Sequence, residues 1–128
     1  MKKVVSSIVL IAFLLTLTAA LFTGCGLFKS ISYDDVKLNL KEAGYEITEM
    51  TGKEYVASDD ANPFIMEYEL ERYLYAVKGD DVLHLFIFTT IDNASRNMDT
   101  IGFSGLTQGQ SNEVVYCATK QAASDAKI

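Results

Sequence analysis

Residues 73–90, YLYAVKGDDVLHLFIFTT, decide the fold of this chain. Two apolar runs, Tyr73–Val77 and Val82–Thr90, flank the residues Lys78-Gly79-Asp80-Asp81, whose composition is typical of a tight hairpin turn. Between Val82 and Phe88 apolar side chains occupy both alternating sets of strand positions. Because such a strand has no face suited to water, the pattern predicts that it lies at the centre of a sheet.

Upstream of the hairpin, Ser32 followed by two carboxylates predicts the start of a helix, and Gly44 predicts its end. Apolar residues around Ile47 then alternate with polar ones. This alternation predicts a short strand, a turn at Thr51-Gly52 and a second piece of strand that includes Val56.

The clearest break in the chain precedes the hairpin, at Asn62-Pro63. An asparagine followed by proline suits the N-cap and first turn of a helix. The next residues, Met66–Glu71, fit a helical stripe and also alternate as a strand does, so both structures stay open for them. We favour a helical turn or two after the proline, followed by a strand from about Leu70.

The last third of the chain predicts a short helix, a mobile loop rich in Gly, Ser and Gln, a strand and a terminal helix. These segments are Asp92 or Asn93 to Ile101, Gly102–Asn112, Val114–Ala118 and Gln121–Ala126. The order of elements predicts an α+β domain, a small two-layer sandwich. We expect an antiparallel sheet of about four strands with helices packed on one face, and a ferredoxin-like topology is possible.

The amino-terminal segment has the features of an export signal. Lys2 and Lys3 precede the uncharged stretch Val4–Phe28, whose apolar part closes with Leu21-Phe22-Thr23-Gly24-Cys25. A bulky apolar residue, two small residues and a cysteine form this last group, which resembles the lipobox of bacterial lipoproteins. Phe22 stands where leucine is usual in that motif.

The resemblance extends to small membrane-anchored lipoproteins of Gram-positive bacteria, through the lipobox, the Tyr73–Thr90 hairpin and the Val114–Lys120 ending. It implies that the signal peptidase cuts between Gly24 and Cys25. It also implies that the Cys25 thiol carries a diacylglyceryl group with fatty acids such as palmitate. Residues 1–24 would then be the signal peptide, 25–31 a lipidated tether and 32–128 a single domain on the outer face of the cell membrane.

The segment also fits two other interpretations, an ordinary secretory signal and a transmembrane helix. An ordinary secretory signal needs a small-x-small cleavage site, which Thr18-Ala19-Ala20 supplies. The uncharged stretch Val4–Phe28 is also long enough for a permanent transmembrane helix. The position of Gly24 and Cys25 at the end of the apolar run favours the lipoprotein.

The negative net charge of the chain limits the classes of partner that it can bind. The net charge is −6, and it becomes −8 when Lys2 and Lys3 leave with the signal peptide. An acidic domain is repelled by phosphate backbones and by anionic lipid headgroups. We therefore expect no nucleic-acid partner, and we expect contact with the membrane through the lipid on Cys25.

His84 and Cys117 are the candidates for a nucleophile pair. His84 is the single histidine and lies within an apolar strand, where it more often packs in the core. Cys117 has no disulfide partner once Cys25 is acylated, and in an apolar strand it behaves as a small buried hydrophobe. One histidine and one free cysteine are too few ligands for a zinc site, so we expect no metal and no cofactor.

Acidic pairs and tyrosines are the remaining candidates. The carboxylates form groups that usually cap turns: Asp34-Asp35, Asp59-Asp60, Glu67/Glu69/Glu71 and Asp80-Asp81. Asp59, Asp60 and Asn62 offer oxygen atoms to calcium, but the spacing of an EF-hand loop is absent. Four tyrosines suggest a recognition surface, although core packing explains most of them equally well: Tyr55, Tyr68, Tyr73 and Tyr75.

The sequence favours a non-enzymatic binding or accessory module of the cell envelope, with an envelope protein as its possible partner. Two alternatives stay open. One is a protein that inhibits an enzyme, and the other is a small hydrolase that uses Cys117 or a carboxylate pair.

Overall fold

The computed structural model describes residues 30–101 and 105–128, which form four α helices, five strands and one short 3-10 helix. In chain order these elements are α1 (Tyr33–Glu42), β1 (Glu46–Thr51), α2 (Gly52–Val56), the 3-10 helix (Glu67–Glu69), β2 (Leu70–Lys78), β3 (Asp81–Phe88), α3 (Ile91–Met98), β4 (Thr107–Ser111), β5 (Val114–Ala118) and α4 (Lys120–Ala126).

Helix α1 begins and ends where the sequence predicts. The Ser32 side chain accepts a hydrogen bond from the backbone N–H of Asp35, and two carboxylates lie in the first turn. The chain turns away after Ala43 at Gly44, whose φ of 91° is a conformation that glycine adopts without strain. Val36 and Leu40 are the buried side chains of the helix.

The second piece of strand predicted around Val56 is wrong, because helix α2 occupies these residues. Thr51 and Glu54 form a capping box. The Thr51 hydroxyl accepts from the Glu54 N–H at 3.2 Å, and the Glu54 carboxylate accepts from the Thr51 N–H at 2.9 Å. These two bonds satisfy the backbone N–H groups of Thr51 and Glu54, which have no backbone acceptor within the first turn of a helix. They start a helix one residue after β1 ends.

The helical turn or two predicted after Pro63 is present only as one short 3-10 turn, which forms later than the proline suggests. Residues 57–66 form turns and irregular backbone, and a short 3-10 helix follows only at Glu67–Glu69. Asn62 does cap its own turn, because its side-chain Oδ1 accepts from the Phe64 N–H at 3.0 Å. The strand predicted from about Leu70 is confirmed as β2.

The predicted hairpin is confirmed. Strands β2 and β3 pair antiparallel from Lys78 opposite Asp81 to Leu70 opposite Phe88, and Gly79 in the turn has a φ of 60°. The register shifts between Leu70 and Arg72, so Glu71 is an extra residue that bulges out of β2.

Two predictions for the region after β3 need correction. The N-cap of α3 is Thr90 rather than Asp92 or Asn93, because the Thr90 hydroxyl accepts from the Asn93 N–H at 3.1 Å. The predicted loop Gly102–Asn112 contains strand β4, whose register pairs Ser111 with Val114 and Thr107 with Ala118. Residues 102–104 of that loop lie outside the described residues. The predicted strand β5 and terminal helix α4 are confirmed.

The sheet has five strands in the order β1-β2-β3-β5-β4, and each pairing is antiparallel. The α+β class, the antiparallel sheet and the central position of β3 are confirmed. The estimate of about four strands missed β4. The ferredoxin-like topology is wrong, because that fold contains a split βαβ unit with parallel strands.

Helices cover both faces of the sheet, so the prediction of helices on one face is wrong. On one face, α1 and α4 contribute Val36, Leu40, Ala122 and Ala126 to a core with Leu74 and Leu85. On the other face, α2 and α3 contribute Tyr55 and Ala94 to a second core with Tyr73, Phe86, Phe88 and Val115. Strand β3 is apolar on both faces, and each face requires its own cover to exclude water.

Candidate functional site

Five large apolar side chains are exposed in the part of the chain that the structure describes, and four of them belong to one region. Phe64 is 69% exposed, Met66 48%, Tyr68 72% and Ile91 50%. We call these four residues the apolar surface. The fifth, Leu38, is 54% exposed on α1, which packs on the opposite face of the sheet. Aromatic residues and methionine are enriched in protein interfaces.

Hydrogen bonds at Asn62 fix the start of the loop that carries three of these side chains. The Asn62 N–H donates to the Tyr55 hydroxyl at 2.9 Å, and the Asn62 side-chain amide donates to the Thr100 carbonyl at 2.9 Å. Tyr55 is itself buried in the core. The loop is therefore tied both to α2 and to the end of α3.

Two side chains of the same loop point inward. Ile65 is 2% exposed and belongs to the core beneath α2 and α3. Glu69 is buried, and its carboxylate accepts hydrogen bonds from the Arg96 guanidinium and from the Asn97 amide, the latter at 2.6 Å. The buried side chains of Ile65 and Glu69 hold the backbone of the loop against the domain. The side chains of Phe64, Met66 and Tyr68 are exposed to solvent from that backbone.

Ile91 lies beside the loop because of Thr89. The Thr89 hydroxyl donates to the Tyr68 carbonyl at 3.2 Å, and the Thr89 N–H donates to the Glu69 carbonyl at 2.9 Å. Helix α3 starts two residues later with Ile91. The loop and the first turn of α3 therefore present their exposed apolar side chains at the same end of the sheet.

Three exposed carboxylates adjoin the residues of the apolar surface in sequence, and Lys53 and Arg72 are exposed cations of the neighbouring elements. Glu67, the bulged Glu71 and Asp92 are all exposed. The nearest cation on α3 is Arg96, and it forms a salt bridge with the buried Glu69. The carboxylates closest in sequence to the exposed apolar side chains are thus Glu67, Glu71 and Asp92, and they favour a partner that carries cations there.

His84 and Cys117 lie directly opposite each other on β3 and β5 and so share a face of the sheet. The hydroxyl of Tyr73 is 2.7 Å from Nδ1 of His84. Cys117 is 0% exposed, and its thiol donates to the Ile101 carbonyl at 3.2 Å. The strand register makes His84 and Cys117 neighbours, and the surrounding core buries the Cys117 sulfur.

Burial keeps both groups uncharged at neutral pH. It lowers the pKa of His84 to about 4 and raises the pKa of the Cys117 thiol. A nucleophilic cysteine needs the opposite conditions, namely a lowered pKa and an open, electropositive setting. The surroundings of this pair are those of a packed core.

The four tyrosines suggested as a recognition surface differ in burial. Tyr55 and Tyr73 are buried with their ring centroids 4.6 Å apart, and Tyr75 is half-buried over His84. Tyr68 alone of the four belongs to the apolar surface. Sequence reasoning missed Phe64 and Met66. The available signal was their apolar character in a break that follows Asn62-Pro63, where no regular element can bury them.

The carboxylate groups are dispersed. Asp59 and Asp60 are exposed, while the Asn62 oxygen already accepts from the Phe64 N–H. Within residues 30–101 and 105–128 no group of three or more His, Cys, Asp or Glu side chains is placed to hold a metal ion.

A cleft of about 810 Å³ lies at the start of the described chain. It is bounded by Ser30–Ser32, α1, β4 and the carboxyl end of α4, and Tyr116 contributes to its lining. The Tyr116 ring lies over Gly109, where a Cβ atom would come within 2.3 Å of the ring. The volume suits a small ligand. Its lining mixes hydroxyls, amides and apolar atoms.

Gly24 and Cys25, the predicted cleavage and lipid-attachment positions, lie outside the described residues. No helix of the described ranges is both long and apolar enough to cross a bilayer. Comparison of the chain with protein families, with curated protein sequences and with solved structures finds no significant match.

Proposed function

We propose that this chain is a lipid-anchored lipoprotein on the outer face of the cell membrane, and that its domain is a non-enzymatic module that binds an envelope protein through the apolar surface. One observation carries the proposal. A loop held by hydrogen bonds and by two buried side chains exposes Phe64, Met66 and Tyr68 to solvent. Exposing three such side chains on a rigid backbone has no benefit for folding, whereas it lowers the entropy cost of binding.

The lipid anchor rests on the sequence. Lys2 and Lys3, the uncharged stretch after them and the Phe22-Thr23-Gly24-Cys25 box all support export and acylation of Cys25. Two acyl chains hold a protein stably on a bilayer, where one chain binds only marginally. The membrane is thus the first partner, through lipid, and the protein partner is the second.

The test is photo-cross-linking in living cells. A photoreactive residue at position 68 should form one reproducible protein adduct, and the same residue at position 38 should not, since Leu38 is exposed on the other face. Phe64→Ser should reduce the adduct from position 68 by about tenfold, the effect of removing one interface anchor. Cys25→Ala should abolish membrane retention and lower the yield. Equal adducts from positions 68 and 38, or none from either, would contradict the proposal.

Enzyme inhibition is the second candidate function, and the rigid loop also favours it. Inhibitors of enzymes bind with preformed surfaces that change little on complex formation. The purified domain would then inhibit an envelope enzyme stoichiometrically, and Tyr68→Ser would relieve that inhibition. The geometry lends no support to a hydrolase that uses Cys117, because the thiol is buried with a raised pKa.

A further inference from the structure

The described chain starts at the same end of the sheet as the apolar surface. The Ile31 N–H donates to the Ser111 hydroxyl at 3.3 Å. Ser111 pairs with Val114 at one end of β5, and Val114 pairs with Ile87 near the end of β3. These contacts place the first described residues beside the strand ends opposite the β2–β3 hairpin turn.

The apolar surface adjoins the same strand ends. Tyr68 lies two residues before Leu70, which pairs with Phe88 at the end of β3. Ile91 begins the helix three residues after Phe88. The β2–β3 turn at Gly79 lies at the far end of two strands of eight and nine residues, a distance of about 25–30 Å.

Chain length limits how far this end of the domain can lie from the lipid. Ile31 lies six positions after Cys25, and an extended chain of that length spans at most about 20 Å. If Cys25 is acylated, the apolar surface therefore lies close to the outer face of the membrane. The hairpin turn at Gly79 faces away from the bilayer or along it.

Charge decides between the bilayer itself and a protein as the occupant of this surface. Anionic lipid attracts Lys and Arg with about 1 kcal/mol per residue near the surface, and it repels carboxylates. The apolar surface has exposed Glu67, Glu71 and Asp92 beside it in sequence, while Arg96 is engaged by Glu69. These carboxylates disfavour insertion into an anionic bilayer and favour a protein surface that carries cations.

We infer that the apolar surface docks against the extracytoplasmic face of a membrane protein, in an apolar socket rimmed by Lys or Arg at the end of the domain where Ile31 is tethered within about 20 Å of the bilayer. The inference rests on the proposed function, both on the anchor at Cys25 and on the apolar surface. It adds the charge of the partner's site and the height of that site above the membrane.

The role of the carboxylates is tested by the yield of the adduct from a photoreactive residue at position 68 in cells. Glu67→Lys combined with Asp92→Lys should reduce that yield at least tenfold. The matched variant, Glu42→Lys with Asp80→Lys, changes the same charge at exposed positions near the hairpin end and should leave the yield unchanged. Circular dichroism and denaturation of both purified variants check that each is folded.

The height of the site is tested with the tether. Insertion of about 40 Gly and Ser residues after Lys29 lowers the effective concentration of the domain near the bilayer, so the yield should fall several-fold. A fluorophore at position 68 of the acylated protein should not be quenched by acyl-chain nitroxides in vesicles of phosphatidylglycerol and phosphatidylethanolamine. Quenching there would make the bilayer the occupant and overturn the inference.

The two proposals fail in distinguishable ways. If the unaltered chain gives no adduct from position 68, the proposed function itself is wrong. If the adduct forms but neither the charge reversal nor the longer tether changes its yield, the partner's site is not basic and membrane-proximal, and only this inference is overturned.

Discussion

At the scale of single residues, the two candidates for a nucleophile pair, His84 and Cys117, are packed into the core: His84 is half-buried and Cys117 is buried. His84 and Cys117 are cross-strand neighbours, yet Tyr73 contacts the imidazole and the Ile101 carbonyl accepts from the thiol. The sequence could place both residues on strands, and it favoured core packing for each. It could not show their hydrogen-bond partners, because Tyr73 and Ile101 come from other elements of the chain.

His84 makes stability depend on pH in a direction that follows from its lowered pKa. In the unfolded chain the imidazole takes up a proton below about pH 6.5, whereas in the folded protein it does so only below about pH 4. The unfolded state thus binds more protons between these values, and the free energy of unfolding falls as the pH drops from about 6.5 to 4. Above that window His84 contributes no pH dependence.

The variant His84→Gln isolates this effect. Because the side chain is half-buried, we expect the wild type to lose about 1–2 kcal/mol more than the variant between pH 7.5 and pH 4.5. Urea denaturation of both proteins at the two pH values measures the difference, and the carboxylates common to both cancel. Parallel losses in the two proteins would show that His84 titrates normally in the folded state.

At the scale of elements, the local sequence predicts the observed structure where one pattern dominates and fails where two patterns compete. The hairpin Leu70–Phe88 combines apolar alternation with a Gly-Asp turn, and it is present as expected. Helix α2 was missed because the Thr51–Glu54 capping box decides its conformation over only five residues. Strand β4 was missed because Thr107–Ser111 has no apolar alternation. Its pairing with β5 and the bonds from Gln108 and Gln110 to α3 hold it in place.

The junction of α2 with β2 requires glycine at position 52. A Cβ atom there would lie 1.8 Å from the Leu70 carbonyl oxygen, so any side chain forces the backbone of β2 to move. We expect Gly52→Ala to lower the free energy of unfolding by about 2–3 kcal/mol. Lys53→Ala, an exposed change in the same helix, should cost no more than about 0.5 kcal/mol. Denaturation curves that coincide for the two variants would refute the close approach.

The loop that carries the apolar surface depends on the buried carboxylate of Glu69. Its two oxygens accept from two different donors, Arg96 and Asn97, and a glutamine offers only one oxygen. We expect Glu69→Gln to destabilise the loop by about 1–3 kcal/mol because one buried donor loses its acceptor. Glu67→Gln, an exposed neighbour, should have almost no effect.

Hydrogen exchange of the amides in residues 62–69 measures the effect of these two substitutions. The exchange should accelerate about tenfold or more in Glu69→Gln and stay unchanged in Glu67→Gln. Equal exchange rates in the two variants would mean that Arg96 and Asn97 do not hold the loop.

At the scale of the whole molecule, the sequence predicted a single α+β domain with β3 at its centre but placed helices on one face. The apolar residues on both faces of β3 already imply that helices cover both faces. Leu83 and Leu85 lie on one face of the strand, and Phe86 and Phe88 lie on the other. The apolar surface was predictable only in part, because the sequence shows apolar residues in a break but not whether the folded loop buries them. Whether Phe64 and Met66 are buried depends on the path of their loop, and two of the residues that hold the loop, Thr100 and Arg96, are distant in sequence.

The two ends of the sheet carry different features. One end carries the first described residues, the cleft beside them and the apolar surface. The other end carries the hairpin turn at Gly79 and the start of α4. On the proposed function, recognition takes place at the end next to the membrane, and the remainder of the domain holds the recognition loop in place.

The most direct test of the central claim is the exposure of Met66 in intact cells. A brief pulse of oxidant converts exposed methionine to the sulfoxide, and mass spectrometry gives the oxidised fraction at each position. In the purified domain Met66, 48% exposed, should oxidise faster than the half-buried Met50 and Met98. In cells a bound partner should protect Met66 several-fold, while Met50 and Met98 keep their rates. Oxidation of Met66 in cells at the rate of the purified domain would contradict the account.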